Sequence, residues 1–217
     1  PRGLGVRAVD RGRVGYAYTG DLSVGGIDKV LLSAAENARA ADPDECAGLP
    51  TESSEGYPQV EGLWSPGVRE WTVEQKTALA LEAESIALAQ PEIELVEESQ
   101  YSDSEARVAV ASTEGVLAEG EQSFCLAYLS AHAARQGDRQ SGLGFTLARH
   151  PEALEPARAG MEAADKARVL LGATPCRTGR YTVVLIPEVA AAFLAAVAGA
   201  LSADAVQKGR SVFAGRL

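Results

Sequence analysis

The sequence is poor in the residues that metal, redox and nucleic-acid sites require. It has 2 histidines, 3 cysteines and 1 methionine in 217 residues, and 20 lysines and arginines face 30 aspartates and glutamates. A net charge of −10 lacks the basic footprint of nucleic-acid binding, so we expect no direct nucleic-acid partner. Cys46, Cys125 and Cys176 are too far apart for a zinc ribbon or a Cys-x-x-Cys pair, and an odd count suits no secreted disulfide framework. We therefore expect a cytoplasmic location.

Long hydrophobic runs are also missing. Every residue from Val189 to Leu201 is apolar or glycine, but a bilayer-spanning helix takes about 20 apolar residues. We therefore expect no membrane partner, and this run favours a fully buried helix in a protein core. The chain begins with Pro1 and has its methionine at Met161, which predicts an interior fragment of a longer protein.

The first part of the chain predicts a hairpin followed by a helix. Apolar residues alternate on both sides of a turn near Gly12, so residues 3–19 read as a β-hairpin. Apolar residues at helical spacing then predict a helix that begins after Asp21 or Ser23 and ends near Ala41. One face of this helix should pack on the hairpin.

The middle of the chain predicts a connection and a second helix. Residues 42–70 hold four of the 10 prolines and have no sustained periodicity, which is typical of a linker. Thr72 and Gln75 have the spacing of a capping box, and an apolar stripe follows them and stops before Pro91. A second amphipathic helix is therefore expected there.

The remaining patterns predict more strands and helices, and with them an α+β fold of antiparallel sheets packed with amphipathic helices. A helix should run from about Pro156 to Gly172, and Tyr181–Ile186 reads as a buried strand. Glycines such as Gly120 separate short alternating runs, whose connections are too short for parallel crossovers, so an antiparallel meander is expected. These runs are Arg107–Ser112, Val116–Glu119, Ser123–Ser130 and Gly142–Ala148.

Two glycine-containing motifs do not carry the chemistry that their letters suggest. The segment Gly3–Ala8 has the letters of a dinucleotide fingerprint, but a turn follows it where the motif needs a helix. Residues 208–211 read Lys-Gly-Arg-Ser without a glycine-rich run before them, which favours an ordinary loop over a phosphate loop.

No constellation of metal ligands or catalytic groups stands out either. His132 and His150 lie eighteen positions apart, on expected strand ends or turns, and a zinc site needs three or four convergent ligands. We interpret both as surface histidines and Cys125 as a small hydrophobe within a strand. The acidic cluster lacks the spacing of a calcium loop and indicates a solvated face; it comprises Glu92, Glu94, Glu97 and Glu98.

Several ordered motifs carry a resemblance that extends over nearly the whole chain. With them the sequence resembles the PmbA/TldD family, once called modulators of DNA gyrase and classed with metallopeptidases. The motifs are Thr19-Gly20-Asp21-Leu22-Ser23, the segments 42–49 and 111–115, Ala163–Ala167, Leu170–Ala173, Thr178–Tyr181, Pro187–Ala190, Gly199–Leu201 and 208–211.

The resemblance also implies a domain organisation. Residues 1–50 would end an N-terminal α/β domain, 51–71 would form a linker, 72–180 would form a central α+β domain, and 181–217 would begin a truncated C-terminal domain. The chain would then be a two-part fragment of a larger multi-domain subunit.

The resemblance further implies which branch the chain belongs to. The TldD-like branch carries His-Glu-x-x-x-His on a helix, where it holds a zinc. Laid onto this chain, the pattern falls on Ala195, Ala196 and Ala200, and alanine has no atom that binds a metal or takes a proton. The chain therefore resembles the PmbA branch, also called TldE, and we expect no catalytic, metal or cofactor-binding residue in it.

The function implied is that of a non-catalytic partner. Such a subunit would pair with a TldD-like protease that holds the zinc, and the pair would process unfolded peptides such as toxin precursors or antitoxins. The edges of its sheets would suit an added peptide strand. One alternative is an active zinc metallopeptidase with ligands outside this chain, and another is a regulatory binder of gyrase or a toxin system without proteolysis.

Overall fold

The fold is seen in a computed structural model that describes residues 1–52, 56–58 and 60–215. It divides into two compact units, Pro1–Gly172 and Ala173–Leu217. The first unit contains two antiparallel sheets with helices and the second contains helices, so the chain is α+β, as predicted.

The first unit begins with the hairpin and helix that the sequence predicts. Strands β1 (Leu4–Asp10) and β2 (Arg13–Thr19) pair antiparallel around the turn, and helix α1 (Val24–Ala40) follows. The helix starts where it does because the Ser23 side chain accepts a hydrogen bond from the Gly26 N–H, which satisfies an otherwise unpaired donor. Gly15 lets α1 lie directly on the hairpin, since a Cβ there would overlap the Ala34 carbonyl oxygen.

A three-stranded antiparallel meander forms the second sheet, which confirms the predicted topology. Its strands are β3 (Ile93–Ala111), β4 (Leu117–Arg135) and β5 (Asp138–Ala148), in the order β3-β4-β5. The four short runs lie in these three strands, except for Ser112 and Val116, which lie in the turn between β3 and β4. The prediction that Gly120 ends a strand is wrong. Gly120 pairs with Val108 inside β4, and the residues on both sides of Gly120 are also paired with β3.

The acidic cluster lies mostly in β3, where sequence patterns had placed no strand. Glu94, Glu97 and Glu98 are exposed, as the solvated-face interpretation expects. The pairing register shifts between Ile93 and Leu95 and between Val96 and Glu98. These irregularities break the period-two alternation, which hides the first part of β3 in the sequence.

Helices cover one face of the meander. Helix α2 (Gly67–Glu70) lies within the predicted linker, and α3 (Val73–Leu88) begins at the predicted capping box, in which Thr72 and Gln75 bond each other's backbone N–H groups. Helix α4 (Pro156–Val169) follows a short 3₁₀ turn. The core between sheet and helices is built mainly from alanines, namely Ala83, Ala87, Ala127, Ala131 and Ala163, together with Cys125 and the larger Leu129.

The second unit differs from two sequence predictions. Tyr181–Ile186 forms no strand and is exposed, because no strand among the described residues of this unit is available to pair with it. Helix α5 (Pro187–Ala200) forms as expected and is followed by α6 (Ala203–Gln207), but none of its residues is buried. The prediction of a fully buried helix is therefore wrong for α5 within this unit.

In the part of the chain that the structure describes, no helix is both long and apolar enough to cross a membrane. Residues 208–211 follow α6 as a turn and bend, and the Ser211 hydroxyl donates to the Ala200 carbonyl oxygen. Apart from Gly3, the segment Gly3–Ala8 lies within strand β1.

Candidate functional site

Helix α5 carries the three positions where the family resemblance would place metal ligands. Ala195 and Ala196 are exposed, and Ala200 is the last residue of the helix and partly buried. Their methyl side chains have no lone pair to give a metal. Glu188 is the only residue of α5 with a ligand-type side chain, so the residues present on this helix do not fit the zinc that the family implies.

The described residues offer no replacement set elsewhere: among residues 1–52, 56–58 and 60–215, no group of three or more His, Cys, Asp or Glu side chains could hold a metal ion.

Each histidine instead pairs with one glutamate. His132 Nε2 lies 3.1 Å from Glu97 Oε2, and the Ser130 hydroxyl donates to the same oxygen over 3.2 Å. These two partners hold the pKa of Glu97 below its usual range. His132 lies inside β4, not at a strand end as predicted, because β4 continues to Arg135.

His150 lies just beyond β5, and its Nδ1 is 3.1 Å from Glu152 Oε2. The pKa of Glu152 is lowered first by a hydrogen bond from its own backbone N–H to its carboxylate. The Trp71 indole N–H, which donates to Oε1 over 3.0 Å, lowers it further. This network joins the 3₁₀ turn to the segment before α3.

Cys125 is buried within β4, which confirms its interpretation as a core residue. Its thiol donates to the Ala148 carbonyl oxygen over 3.5 Å, and burial raises its pKa to about 11. Such a thiol stays protonated and unreactive at neutral pH.

A cluster of polar groups surrounds Cys125 beneath helix α3, and sequence patterns did not indicate it. Burial and the nearby Asp103 carboxylate raise the pKa of the Tyr101 hydroxyl. Lys76 Nζ lies 2.5 Å from Asp103 Oδ2 and 5.8 Å from the centre of the Tyr101 ring. Because Tyr101 and Asp103 pair with Ala127 and Cys125, they share the face of the sheet that the helices cover.

Open cavities in the first unit, as far as its described residues show them, include the following two. One, of about 670 Å³, is lined by residues that precede α2, including Tyr57 and Trp64, and by the start of β4 from Leu117 to Glu121. The other, of about 460 Å³, lies between helix α3 and strand β3. Its walls are Val73, Lys76, Thr77 and Ala80 on the helix and five consecutive strand residues, 99–103.

The described residues thus form a hairpin–helix module, a helix-covered meander and an apolar helix. Models of known protein families match most of the chain, and the matches describe one family. The model described as the PmbA/TldA metallopeptidase central domain matches residues 66–171. Those described as domain 1 and the C-terminal domain of the same metallopeptidases match residues 1–41 and 178–217.

The chain therefore belongs to the PmbA/TldD metallopeptidase family. A metalloprotease of Methanocaldococcus jannaschii is 34% identical over 120 residues, which are 54% of this chain and 27% of that protein.

Solved structures share the fold at lower identity. A candidate modulator of DNA gyrase from Bacteroides thetaiotaomicron superposes with a TM-score of 0.86 at 21% identity, over 99% of this chain and 50% of that one. TldE from Thermococcus kodakarensis gives a TM-score of 0.75 at 16% identity, over 97% and 48%. The chain thus spans about half the length of these structures, and at such identities the likeness shows the fold alone.

Proposed function

We propose that the chain is a TldE-like subunit that serves a TldD-like metalloprotease without binding the metal itself. The observation that carries the proposal is the chemistry of α5: the three positions that the resemblance assigns to His, Glu and His are Ala195, Ala196 and Ala200. A protease zinc needs three fixed protein ligands and an open position for water. Likeness to a TldE structure supports the fold that this role requires.

In this proposal the partner supplies the zinc and the pair acts on unfolded or flexible peptides in the cytoplasm. Peptide-toxin precursors and antitoxins are the substrates that the family resemblance suggests. The acidic charge of −10 is compatible with protein and peptide partners and unfavourable for nucleic acid.

Reconstitution tests the proposal. The full-length protein that contains this chain would be mixed with a TldD-like subunit from the same organism, and hydrolysis of a flexible peptide would be followed by mass spectrometry. We expect the pair to cleave and each subunit alone to be inactive. Full activity of the TldD-like subunit alone, or recovery of the chain from its native organism without any TldD-like protein, would contradict the proposal.

The first alternative is an active zinc peptidase with ligands outside this chain. The name of the Methanocaldococcus jannaschii relative favours it. Metal analysis of the purified full-length protein separates the two ideas, because the alternative requires about one zinc per chain and the proposal requires none. The second alternative, a regulatory binder, predicts association with a gyrase or toxin system and no change in peptide cleavage.

A further inference from the structure

The edge of strand β3 opposite β4 is unpaired in the described part of the chain, where the meander has only three strands in the order β3-β4-β5. Five consecutive residues of this strand, 99–103, line the cavity beside α3. A pocket on one face of a strand would be lined by alternate residues, since successive side chains point to opposite faces. The cavity therefore opens along the backbone edge.

The register shows which backbone groups point into the cavity. The Ser112 N–H donates to the Val116 carbonyl oxygen over 2.9 Å, which makes this pair a hydrogen-bonded one. Hydrogen-bonded and non-bonded pairs alternate along an antiparallel ladder, and the register runs without a shift from Ala111 back to Glu98. Even-numbered residues of this stretch thus bond to β4, and Ser99, Tyr101 and Asp103 direct their N–H and C=O groups outward.

The opposite wall is one face of helix α3. Val73, Thr77 and Ala80 are spaced as residues on a single helical face, and Val73 is 74% exposed. Lys76 lies on the same wall, but the Asp103 carboxylate neutralises it. The result is a groove with hydrogen-bonding groups on one side and small, largely uncharged side chains on the other.

The charges around the groove favour a basic occupant. Helical spacing places Glu84 on the same face of α3 as Ala80, one turn further along, and the exposed Glu98 immediately precedes Ser99 on β3. The Ser99 hydroxyl donates to the Ala80 carbonyl oxygen over 2.7 Å, so Glu84 and Glu98 lie toward the same end of the groove. Glu84 lies on the α3 face of the sheet, and Glu98, whose side chain points away from that of Ser99, lies on the opposite face.

We infer that this groove docks an extended peptide segment, which adds to the meander as a fourth strand beside β3 and places basic side chains near Glu84 on the α3 face and near Glu98 on the opposite face. Main-chain hydrogen bonds to Ser99, Tyr101 and Asp103 would supply affinity without strict sequence preference, and alternate side chains would pack against α3. The inference rests on the proposed function for the source of the peptide, but docking is a property of this chain alone.

The test uses the full chain and three fluorescein-labelled peptides in an anisotropy titration. The first peptide alternates Thr and Val and has a lysine at each end. The second has the same alternating sequence with a glutamate at each end, and the third has the first sequence with alternate backbone nitrogens methylated. We expect the lysine-ended peptide to bind, the methylated one to fail, and hydrogen exchange at Ser99, Tyr101 and Asp103 to slow on binding.

Variants on α3 locate the site. Thr77→Trp fills the groove and should weaken binding about tenfold, whereas Glu82→Trp adds the same bulk on an exposed position outside the groove wall and should not. Glu84→Lys should reduce the preference for the lysine-ended over the glutamate-ended peptide, because Glu98 is then the remaining carboxylate at that end of the groove. Circular dichroism confirms that each variant is folded.

Equal binding by the Thr77→Trp and Glu82→Trp variants, tight binding of the methylated peptide, or no binding of the lysine-ended peptide would each overturn the inference. None of these results would alter cleavage by the reconstituted pair, which tests the proposed function separately. Conversely, if the reconstituted pair does not cleave but the chain still binds the peptide, the proposed function is contradicted and the inference about the groove stands.

Discussion

Two glycines in β5 set how closely helix α4 approaches the sheet. A Cβ at Gly144 would overlap the Ala159 carbonyl oxygen, and one at Gly142 would overlap the Ala163 carbonyl oxygen. Backbone atoms of a helix cannot move aside independently, so Gly144→Ala must push α4 away from the sheet. We expect it to lower the free energy of unfolding by about 1–3 kcal/mol, measured by urea denaturation.

Gly120→Ala is the matched control for that substitution. Gly120 also lies in a strand of the meander, but a Cβ there would meet no atom within 4 Å. It should leave the urea midpoint unchanged or raise it slightly, because alanine lowers the entropy of the unfolded chain. Equal losses for both variants would mean that close packing of α4 is not what Gly144 provides.

The three cysteines should differ sharply in reactivity. Cys46 and Cys176 are exposed, whereas Cys125 is buried and burial raises its pKa to about 11. At pH 8 a thiol-reactive dye should therefore label Cys46 and Cys176 in the native protein, and Cys125 only after denaturant is added. Peptide mapping by mass spectrometry identifies the labelled residues. Rapid labelling of Cys125 in the native protein would show that the core under α3 opens readily.

At the scale of elements, Asp138 ties the start of β5 to the end of α4. Its Oδ2 accepts the Gly172 N–H over 2.6 Å, and its Oδ1 accepts from Gln140 over 2.9 Å. These hydrogen bonds, the one from Gly172 first, lower the pKa of Asp138 below 3.8. Its contribution to stability is therefore complete above that pH and is lost as the pH falls through the folded-state pKa.

Asp138→Asn tests this connection. The variant should be less stable than the parent at pH 7, and the difference in urea midpoint should shrink as the pH falls below about 4. Asp28→Asn, an exposed position on α1, serves as the control and should follow the parent at every pH. A difference that stays constant down to pH 2 would contradict a role for the Asp138 charge.

Elements could be predicted where local chemistry decides them. The turn at Gly12 and the capping box at Thr72 depend on nearby residues and appear where the sequence predicts them, and Ser23 is one of the two caps predicted for α1. The end of strand β3, from Arg107, is predicted by its alternation, but the start of the strand is not, because register shifts between Ile93 and Glu98 hide the alternation there. Gly120 lies inside a strand and does not end one, because cross-strand pairing outweighs the low strand preference of glycine, and local sequence does not reveal that pairing.

At the scale of the whole molecule, the candidate site could be predicted in part. The three alanines on α5 follow from the resemblance and lie on the helix expected for them. The groove beside α3 could not be predicted, because it joins residues 73–80 to residues 99–103 through strand pairing and helix packing that only the fold supplies. Alternation of Tyr101 and Asp103 within β3 is the one available signal, and their polar groups at half-buried positions obscure it.

The second unit presents an unusually apolar surface for a short segment. On α5, Phe193 is 63% exposed and Leu194 is 69% exposed, and the helix carries no basic residue and one acidic one. A helix that is apolar all round is normally covered by other protein, and exposed apolar patches drive association. We therefore expect this 217-residue chain to self-associate with rising concentration in sedimentation velocity. Phe193→Glu with Leu194→Glu should restore the monomer, whereas Val169→Glu, which replaces an exposed apolar residue on α4, should not. A parent chain that stays monomeric throughout would show that α5 has no such effect.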